Sequence, residues 1–226
     1  MPRLRTGYSF RTAAGTIEEC LSRIQECEWP VAPITDRAST FGWVRWEAAS
    51  KKAGLRPLFG VELGVVADVG EKKPTIDYWT FIAIDFVAPV NRLVALATQQ
   101  FRYEPLITYA QAMAAEGVYK IVGHRAKLDL VSPSSTILYG LSSASAKGHV
   151  KRAIDLGLEM VATTNNFYPR KEDVGFYEVL CGRGASTQVY DQHIQTDEEW
   201  IASVSRALPD AEKQKAALTM RNDVWD

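Results

Sequence analysis

Short runs of β-branched and other apolar residues alternate with amphipathic segments through most of this 226-residue chain. This alternation constrains the fold more than any other feature, because strands that are separated by helices favour a mostly parallel sheet or barrel. Seven runs have the character of strands, near residues 3–7, 31–35, 58–66, 77–84, 118–123, 136–140 and 158–163. The sequence therefore predicts an α/β fold built on seven strands.

Helix signals occur between and after these strands. Thr16 with Glu19 has the spacing of a capping box, and so does Thr196 with Glu199, which predicts that a helix begins at each place. A second helix with Phe41 and Val44 at helical spacing, and a third near residues 90–101, are expected to cover the outside of the sheet.

The composition indicates one globular domain. With 46% hydrophobic and 23% charged residues, the chain is able to bury a sizeable core. Strand patterning stops after about residue 165 and helical patterning follows. We therefore expect a single domain over residues 1–226, with a barrel over about 1–168 and a helical extension over about 169–226.

The charge distribution limits the partners that the chain can bind. The formal net charge is −1 and no long run of Lys or Arg occurs, so any contact with DNA must be local. No apolar stretch reaches the length of a membrane span, and the beginning of the chain lacks the apolar region of a signal peptide. Three cysteines without a CxxC pair are typical of a reduced, cytoplasmic protein.

Polar side chains follow several of the predicted strands. Because the carboxyl ends of parallel strands meet at one face of a sheet, such side chains can surround a substrate there. The residues at these positions are Asp36, Arg37, Glu62, His124, Arg125, Asn165 and Asn166, and the first run itself carries Arg3 and Arg5.

Two interpretations of the acidic residues are open. Asp36, Glu62 and His124 could bind a divalent cation, although metal-cluster enzymes commonly use more ligands of this type. The structural interpretation is favoured, in which Asp36 caps the following loop or helix and Glu62 pairs with Arg37 or Arg5. His149 and His193 are expected at the surface without a role. The chain has no GxSxG, HExxH or zinc-type CxxC motif, so motifs alone do not indicate an enzyme.

Three segments resemble the N-terminal PHP (polymerase and histidinol phosphatase) domain of bacterial DNA polymerase III alpha subunits. PITDRASTFGWVRWEAASKKAGLRPLFGVELGV is similar to the stretch that usually reads TDHGN, FG, a helix ending KKAG, KPIIG and a glutamate. RLRTGYSF is similar to the HxHSxYS motif, and LEMVATTNNFYPRKEDVGFYEVLCGRG to the region VATNDVHYLRPEDAEAHDVLLCI; GVYKIVGHRAKL matches more loosely. The resemblance implies a distorted seven-stranded (βα) barrel of PHP type, here with a C-terminal helical extension.

The resemblance also implies a degenerate metal site. The positions concerned are Arg3, Arg5, Asp36, Arg37, Glu62, His124, Asn165 and Phe167. Only Asp36, Glu62 and the more loosely matched His124 retain a side chain that can ligate metal. No catalytic residue and no cofactor are therefore expected, and any metal would be Zn or Mn on these three.

Two uses of the substituted arginines are open. In the first hypothesis, arginine–carboxylate pairs replaced the metals and hold the strand ends together by charge-assisted hydrogen bonds. In the rival hypothesis, Arg3, Arg5, Arg37 and Arg125 surround one cleft and hold a phosphate of DNA or of a nucleotide.

The resemblance implies a non-catalytic PHP-like module of a polymerase III alpha type replisome, which acts in DNA replication as a structural or protein-binding scaffold. Its expected partners are DNA polymerase or proofreading exonuclease subunits. A chain of 226 residues is expected to be too short to polymerise DNA alone. The alternatives are a residual metal-dependent phosphoesterase or 3′–5′ proofreading exonuclease, and a decoy mimic of a host polymerase domain, for example one encoded by a phage.

Overall fold

The computed structural model of the chain describes residues 3–9, 12–100, 104–182 and 191–225. Its strands are β1 (Val31–Ile34), β2 (Arg56–Val66), β3 (Asp77–Ala83), β4 (Leu106–Thr108), β5 (Val118–Val122), β6 (Ile137–Leu141) and β7 (Glu159–Ala162). Its helices are α1 (Ile17–Glu26), α2 (Trp43–Lys52), α3 (Ala88–Gln99), α4 (Tyr109–Ala114), α5 (Lys147–Asp155), α6 (Val174–Cys181), α7 (Asp197–Val204) and α8 (Ala211–Trp225).

The strands form one curled, seven-stranded sheet in the order β1-β2-β3-β5-β6-β7, with β4 paired to β2. The long strand β2 pairs in parallel with β1 along its first four residues and with β4 along its last three. Strand β3 is antiparallel to both of its neighbours, and β5, β6 and β7 are parallel. This α/β half-barrel confirms the predicted fold class.

The N-terminal segment is not a strand, although the pattern over residues 3–7 predicted one. It forms a single bridge between Leu4 and Asn166. The backbone N–H of Thr35 donates to the carbonyl oxygen of Leu4 at 2.7 Å, and that of Arg5 donates to the carbonyl oxygen of Asn166 at 3.1 Å. The segment thus lies between the carboxyl ends of the two edge strands, β1 and β7. The sequence also missed β4, whose three residues are too few to show a period.

Both predicted capping boxes are present. The hydroxyls of Thr16 and Thr196 accept from the backbone N–H three residues on, and the glutamate there accepts from the cap backbone. Helix α2 buries a different face from the predicted one, since Phe41 and Val44 are 85% and 80% exposed. Its buried side is set by Trp46, whose indole N–H donates to the carbonyl oxygen of Ala32.

The helical extension packs into the same core as the sheet. Helix α8 packs against β7. Trp200 of α7 is fully buried, and its indole N–H donates to the carbonyl oxygens of Leu141 and Thr163 at 3.1 and 2.9 Å. Among the described residues, no helix combines the length and apolar character needed to cross a membrane.

Candidate functional site: an arginine cluster on Glu62

Three arginines bind one buried carboxylate at the carboxyl ends of the parallel strands. Arg3 donates from Nη2 to Oε2 of Glu62 at 2.7 Å, and Arg37 donates from Nε to Oε1 at 2.8 Å. Arg5 donates from Nη2 to the same Oε1. Both oxygens of Glu62 are therefore occupied by guanidinium donors.

The chain path explains this convergence. Glu62 lies within β2, where the backbone of residues 36–38 joins it just beyond the end of β1. The N–H of Glu62 donates to the carbonyl oxygen of Asp36, and the N–H of Ala38 donates to the carbonyl oxygen of Glu62. Arg3 and Arg5 come from the N-terminal segment that lies on the other side of β1.

Asp36 holds the turn that follows the N-terminal segment. Its Oδ1 accepts from the backbone N–H of Thr6 at 2.7 Å and from the hydroxyl of Ser9 at 2.6 Å, and its Oδ2 accepts from the hydroxyl of Thr6 at 2.8 Å. The expectation that Asp36 caps the following loop or helix was wrong, because the hydrogen bonds that its side chain accepts come from residues 6–9. Helix α2 has Gly42 at its N-cap and no side-chain cap.

The electrostatics of the two carboxyls differ. Burial alone would raise the pKa of Glu62, but the charges of Arg5, Arg37 and Arg3 lower it well below its ordinary value. Burial raises the pKa of Asp36 to about 6, against the opposing hydrogen bonds of Ser9 and Thr6. Glu62 is therefore ionised at any physiological pH, whereas the pKa of Asp36 lies close to the physiological range.

Two aromatic rings orient the guanidinium groups. The Cζ atom of Arg37 lies 3.7 Å from the ring centroid of Tyr78, and the Cζ atom of Arg5 lies 4.2 Å from that of Phe167. The hydroxyl of Tyr78 in turn donates to Glu104 at 2.9 Å. Stacking of this kind fixes the plane of a guanidinium group without using its N–H donors.

The cluster forms the floor of a pocket of 240 Å³. The pocket is lined by Arg3, Arg5, Thr12, Arg37, Ile76, Tyr78, Gly123, His124, Arg125, Ala126, Asn165, Phe167 and Gln192. Burial, together with the charges of Arg3, Arg125 and His149, lowers the pKa of His124 to about 4, so that His124 is neutral at pH 7. Six of the eight positions singled out by the resemblance thus line one pocket. A seventh, Glu62, is bonded to three of the lining arginines, and Asp36 bonds to the N-terminal segment instead.

The loop that carries His124 and Arg125 is held from two sides. His149 contacts the carbonyl oxygen of Ala126 through Nε2 at 2.9 Å and the hydroxyl of Tyr139 through Nδ1 at 3.0 Å. A carbonyl oxygen only accepts, so Nε2 of His149 carries a proton and donates to Ala126. The N–H of Lys127 donates to Asp77 at 2.9 Å. His149 is half-buried and bonded through both ring nitrogens, and His193 is buried, so the expectation of two surface histidines without a role was wrong.

These residues do not fit a metal cluster. Guanidinium groups stay protonated and cannot ligate a metal ion, and both oxygens of Glu62 are already bound by them. Over the described ranges, no group of three or more His, Cys, Asp or Glu side chains is arranged to hold a metal ion.

Several residues of this site were missed by sequence reasoning. Tyr78 and Glu104 are far from any recognised motif, and their role depends on tertiary contact with Arg37. Asn166, by contrast, was expected among the polar residues at the strand ends, and its side-chain amide donates to the carbonyl oxygen of Arg3 at 2.9 Å.

Comparison with known proteins supports the same family. The model of the PHP domain matches residues 2–180. DNA polymerase III subunit alpha of Borreliella burgdorferi is 22% identical over 118 residues, which is 51% of this chain and 9% of that protein. The PolC-type DNA polymerase III of Thermotoga petrophila is 29% identical over 87 residues, 36% of this chain and 6% of that protein. The chain thus spans less than a tenth of the length of these relatives.

A solved structure shares the fold. An amidohydrolase from Chromobacterium violaceum, with bound sulfate and no metal, aligns with a TM-score of 0.51 and 13% identity, over 76% of this chain and 88% of that one. At this identity the likeness concerns the fold alone. Because the family model covers most of the chain, from residue 2 to residue 180, the chain belongs to the PHP domain family.

Proposed function

We propose that this chain is a non-catalytic PHP module in which an arginine–carboxylate cluster has taken the place of the metal site. The single observation that carries the proposal is the binding of both Glu62 oxygens by Arg3, Arg5 and Arg37. Each of these arginines stands at a position where the resemblance expects a metal ligand.

The arginines of the cluster supply the positive charge that bound cations would otherwise supply to the fold. Positive charge is needed beside buried carboxylates, because an ionised carboxylate that is removed from water is costly unless it is paired. Guanidinium groups provide that charge permanently, and they connect the N-terminal segment to β2 and to the end of β1. The module would keep its shape without metal and without hydrolytic chemistry.

We further propose that the module serves as a structural or protein-binding scaffold in a DNA polymerase III type assembly, in the cytoplasm. The support is the likeness to the polymerase III proteins of Borreliella burgdorferi and Thermotoga petrophila. Its partners in this proposal are DNA polymerase or proofreading exonuclease subunits, which contact its surface and not the buried cluster.

The catalytic part of the proposal is tested by elemental analysis after incubation with zinc and manganese, followed by removal of free metal. The same samples are assayed on a chromogenic phosphate ester and on single-stranded DNA. We expect no stoichiometric metal and no turnover. Stoichiometric metal, with activity that Glu62→Ala abolishes, would instead establish the residual phosphoesterase or exonuclease.

The scaffold part is tested with purified subunits of the replicative polymerase from the source cell. We expect a saturable complex with the polymerase or with the exonuclease subunit by analytical ultracentrifugation. A complex that forms only by displacing the polymerase's own PHP domain would identify a decoy mimic. No complex with either subunit would refute the scaffold.

A further inference from the structure

The pocket above the Glu62 cluster has more positive than negative charge. Arg3, Arg5, Arg37 and Arg125 line it, whereas Glu62 is the one carboxylate that bonds to these arginines within the described residues. The four arginines therefore exceed the charge of Glu62 by three.

Nearby groups do not cancel this surplus. Glu104 accepts a hydrogen bond from the hydroxyl of Tyr78. Its charge raises the pKa of Arg37 less than the charge of Glu62 does. Since Arg3 and Arg5 are only 7% and 6% exposed, solvent screens their charges poorly. An anion in the pocket would compensate them.

Two buried donors near the pocket lack an acceptor. Among the described residues, neither Nε of Arg5 nor Nδ2 of Asn165 has a hydrogen-bond partner, and Asn165 is 3% exposed. Both residues line the pocket. A buried donor without an acceptor is costly, and the great majority of such groups in proteins are satisfied. Oxygen atoms of a ligand in this pocket would supply acceptors for such donors.

The donors are also held in place before any ligand binds. Stacking of Arg37 on Tyr78 and of Arg5 on Phe167 fixes both guanidinium planes. The loop with Arg125 is held by His149 and Asp77 through Ala126 and Lys127. Preorganised donors bind a ligand with less loss of conformational entropy than flexible ones.

We propose that this pocket is a metal-free binding site for a phosphomonoester dianion. Tetrahedral oxyanions match guanidinium donors in geometry, and a dianion compensates the surplus positive charge of the arginines better than the single charge of a phosphodiester does. The proposal goes beyond the scaffold function and does not depend on it. The chain can bind replication subunits without binding phosphate, and it can bind phosphate without binding those subunits, so the two properties are tested separately.

The test uses the full chain with EDTA in a chloride buffer and isothermal titration calorimetry. The probes are inorganic phosphate, a nucleoside 5′-monophosphate, and one single-stranded oligonucleotide prepared with a 5′-phosphate or with a 5′-hydroxyl. We expect saturable binding of inorganic phosphate and preference for the 5′-phosphorylated oligonucleotide over its hydroxyl form by about tenfold. Tighter binding of the nucleotide or of the oligonucleotide than of phosphate would identify that molecule as the source of the phosphate group.

Two variants locate the site. Arg125→Gln changes an exposed side chain and Asn165→Ala removes the unpartnered amide, and each should weaken phosphate binding by about fivefold to tenfold. Arg152→Gln is the matched control, since Arg152 is exposed, pairs with Asp129 outside the pocket and should leave binding unchanged. Circular dichroism melting of each variant establishes that it is folded. The proposal is overturned if phosphate does not bind saturably, if the hydroxyl oligonucleotide binds equally well, or if all three variants behave alike.

Discussion

Arg3 donates from Nη2 to Oε2 of Glu62 at 2.7 Å, joining two residues that are 59 positions apart in the sequence. Both side chains are buried, so water and salt screen the pair far less than a surface ion pair. The resemblance to PHP domains places a metal ligand at each of these two positions. One guanidinium–carboxylate bond thus connects two places that metal coordination would otherwise connect.

Glu62→Gln should strongly destabilise the fold. The substitution keeps the shape of the side chain but leaves three guanidinium groups beside a neutral amide. Removal of one member of a buried ion pair commonly costs about 3–5 kcal/mol, because the remaining charge is left uncompensated. We expect a loss of this size in the free energy of unfolding, measured by urea denaturation.

Glu47→Gln is the control for this prediction. Glu47 pairs with Lys51 on α2, and the two side chains are 46% and 64% exposed. Its loss should change the free energy of unfolding by less than about 0.5 kcal/mol. Equal effects of the two substitutions would show that the Glu62 cluster does not support the fold.

Asp36→Asn should change stability in a pH-dependent way. Burial raises the pKa of Asp36 to about 6 in the folded chain, above the ordinary value of 3.8. A carboxyl whose folded pKa is raised costs stability as it ionises, so the wild type should lose stability from this group as the pH rises from about 4 to about 6. The asparagine does not titrate. The stability of the variant relative to the wild type should therefore increase by about 2–3 kcal/mol between about pH 4 and about pH 7.5.

The measurement for Asp36 is urea denaturation of both proteins at matched pH values. Taking the difference at each pH removes the contribution of groups that titrate identically in both. A difference that stays constant across the range would mean that Asp36 has an ordinary pKa. A difference of the opposite sign would mean that hydrogen bonds from Thr6 and Ser9 outweigh burial.

Trp200→Phe tests whether the helical extension belongs to the barrel. The phenylalanine keeps an aromatic ring but removes the N–H that Leu141 and Thr163 accept, which leaves two buried carbonyls with one fewer donor. We expect a loss of about 1–3 kcal/mol in a single unfolding transition. Ile201→Ala, on the partly exposed side of the same helix, should cost less. A separate early transition for residues 191–225 would show that the extension unfolds independently.

Local sequence signals predicted local structure. The hydroxyls of Thr16 and Thr196 cap their helices as predicted, because a capping box is completed within four residues. The strand expected over residues 3–7 forms only the Leu4–Asn166 bridge, since its pairing depends on chain segments far away. Membership of the PHP family was likewise predicted, from motif residues spread over nearly the whole chain.

The sequence predicted which residues lie at the site, but it did not predict which of their side chains contact one another. Sequence reasoning paired Glu62 with Arg37 or Arg5, whereas the structure adds Arg3 as a third partner. Phe167 was expected only as a lost ligand position, yet its ring stacks on Arg5. Spacing along the chain indicates which residues reach the ends of the strands, but side-chain partners depend on packing that no motif encodes.

Tyr78→Leu and Tyr78→Phe together separate the ring from the hydroxyl in the support of Arg37. The phenylalanine keeps the stack on the Arg37 guanidinium and loses only the half-buried hydrogen bond to Glu104, so it should cost about 1 kcal/mol or less. The leucine removes the stack as well, and a partly desolvated cation–π contact adds about 1–2 kcal/mol to the loss. Arg37 then becomes free to turn away from Glu62, so phosphate binding should weaken in the leucine variant and persist in the phenylalanine variant. Urea denaturation and calorimetry of both variants check this, and equal stability and equal phosphate affinity in the two would show that the ring does not orient Arg37.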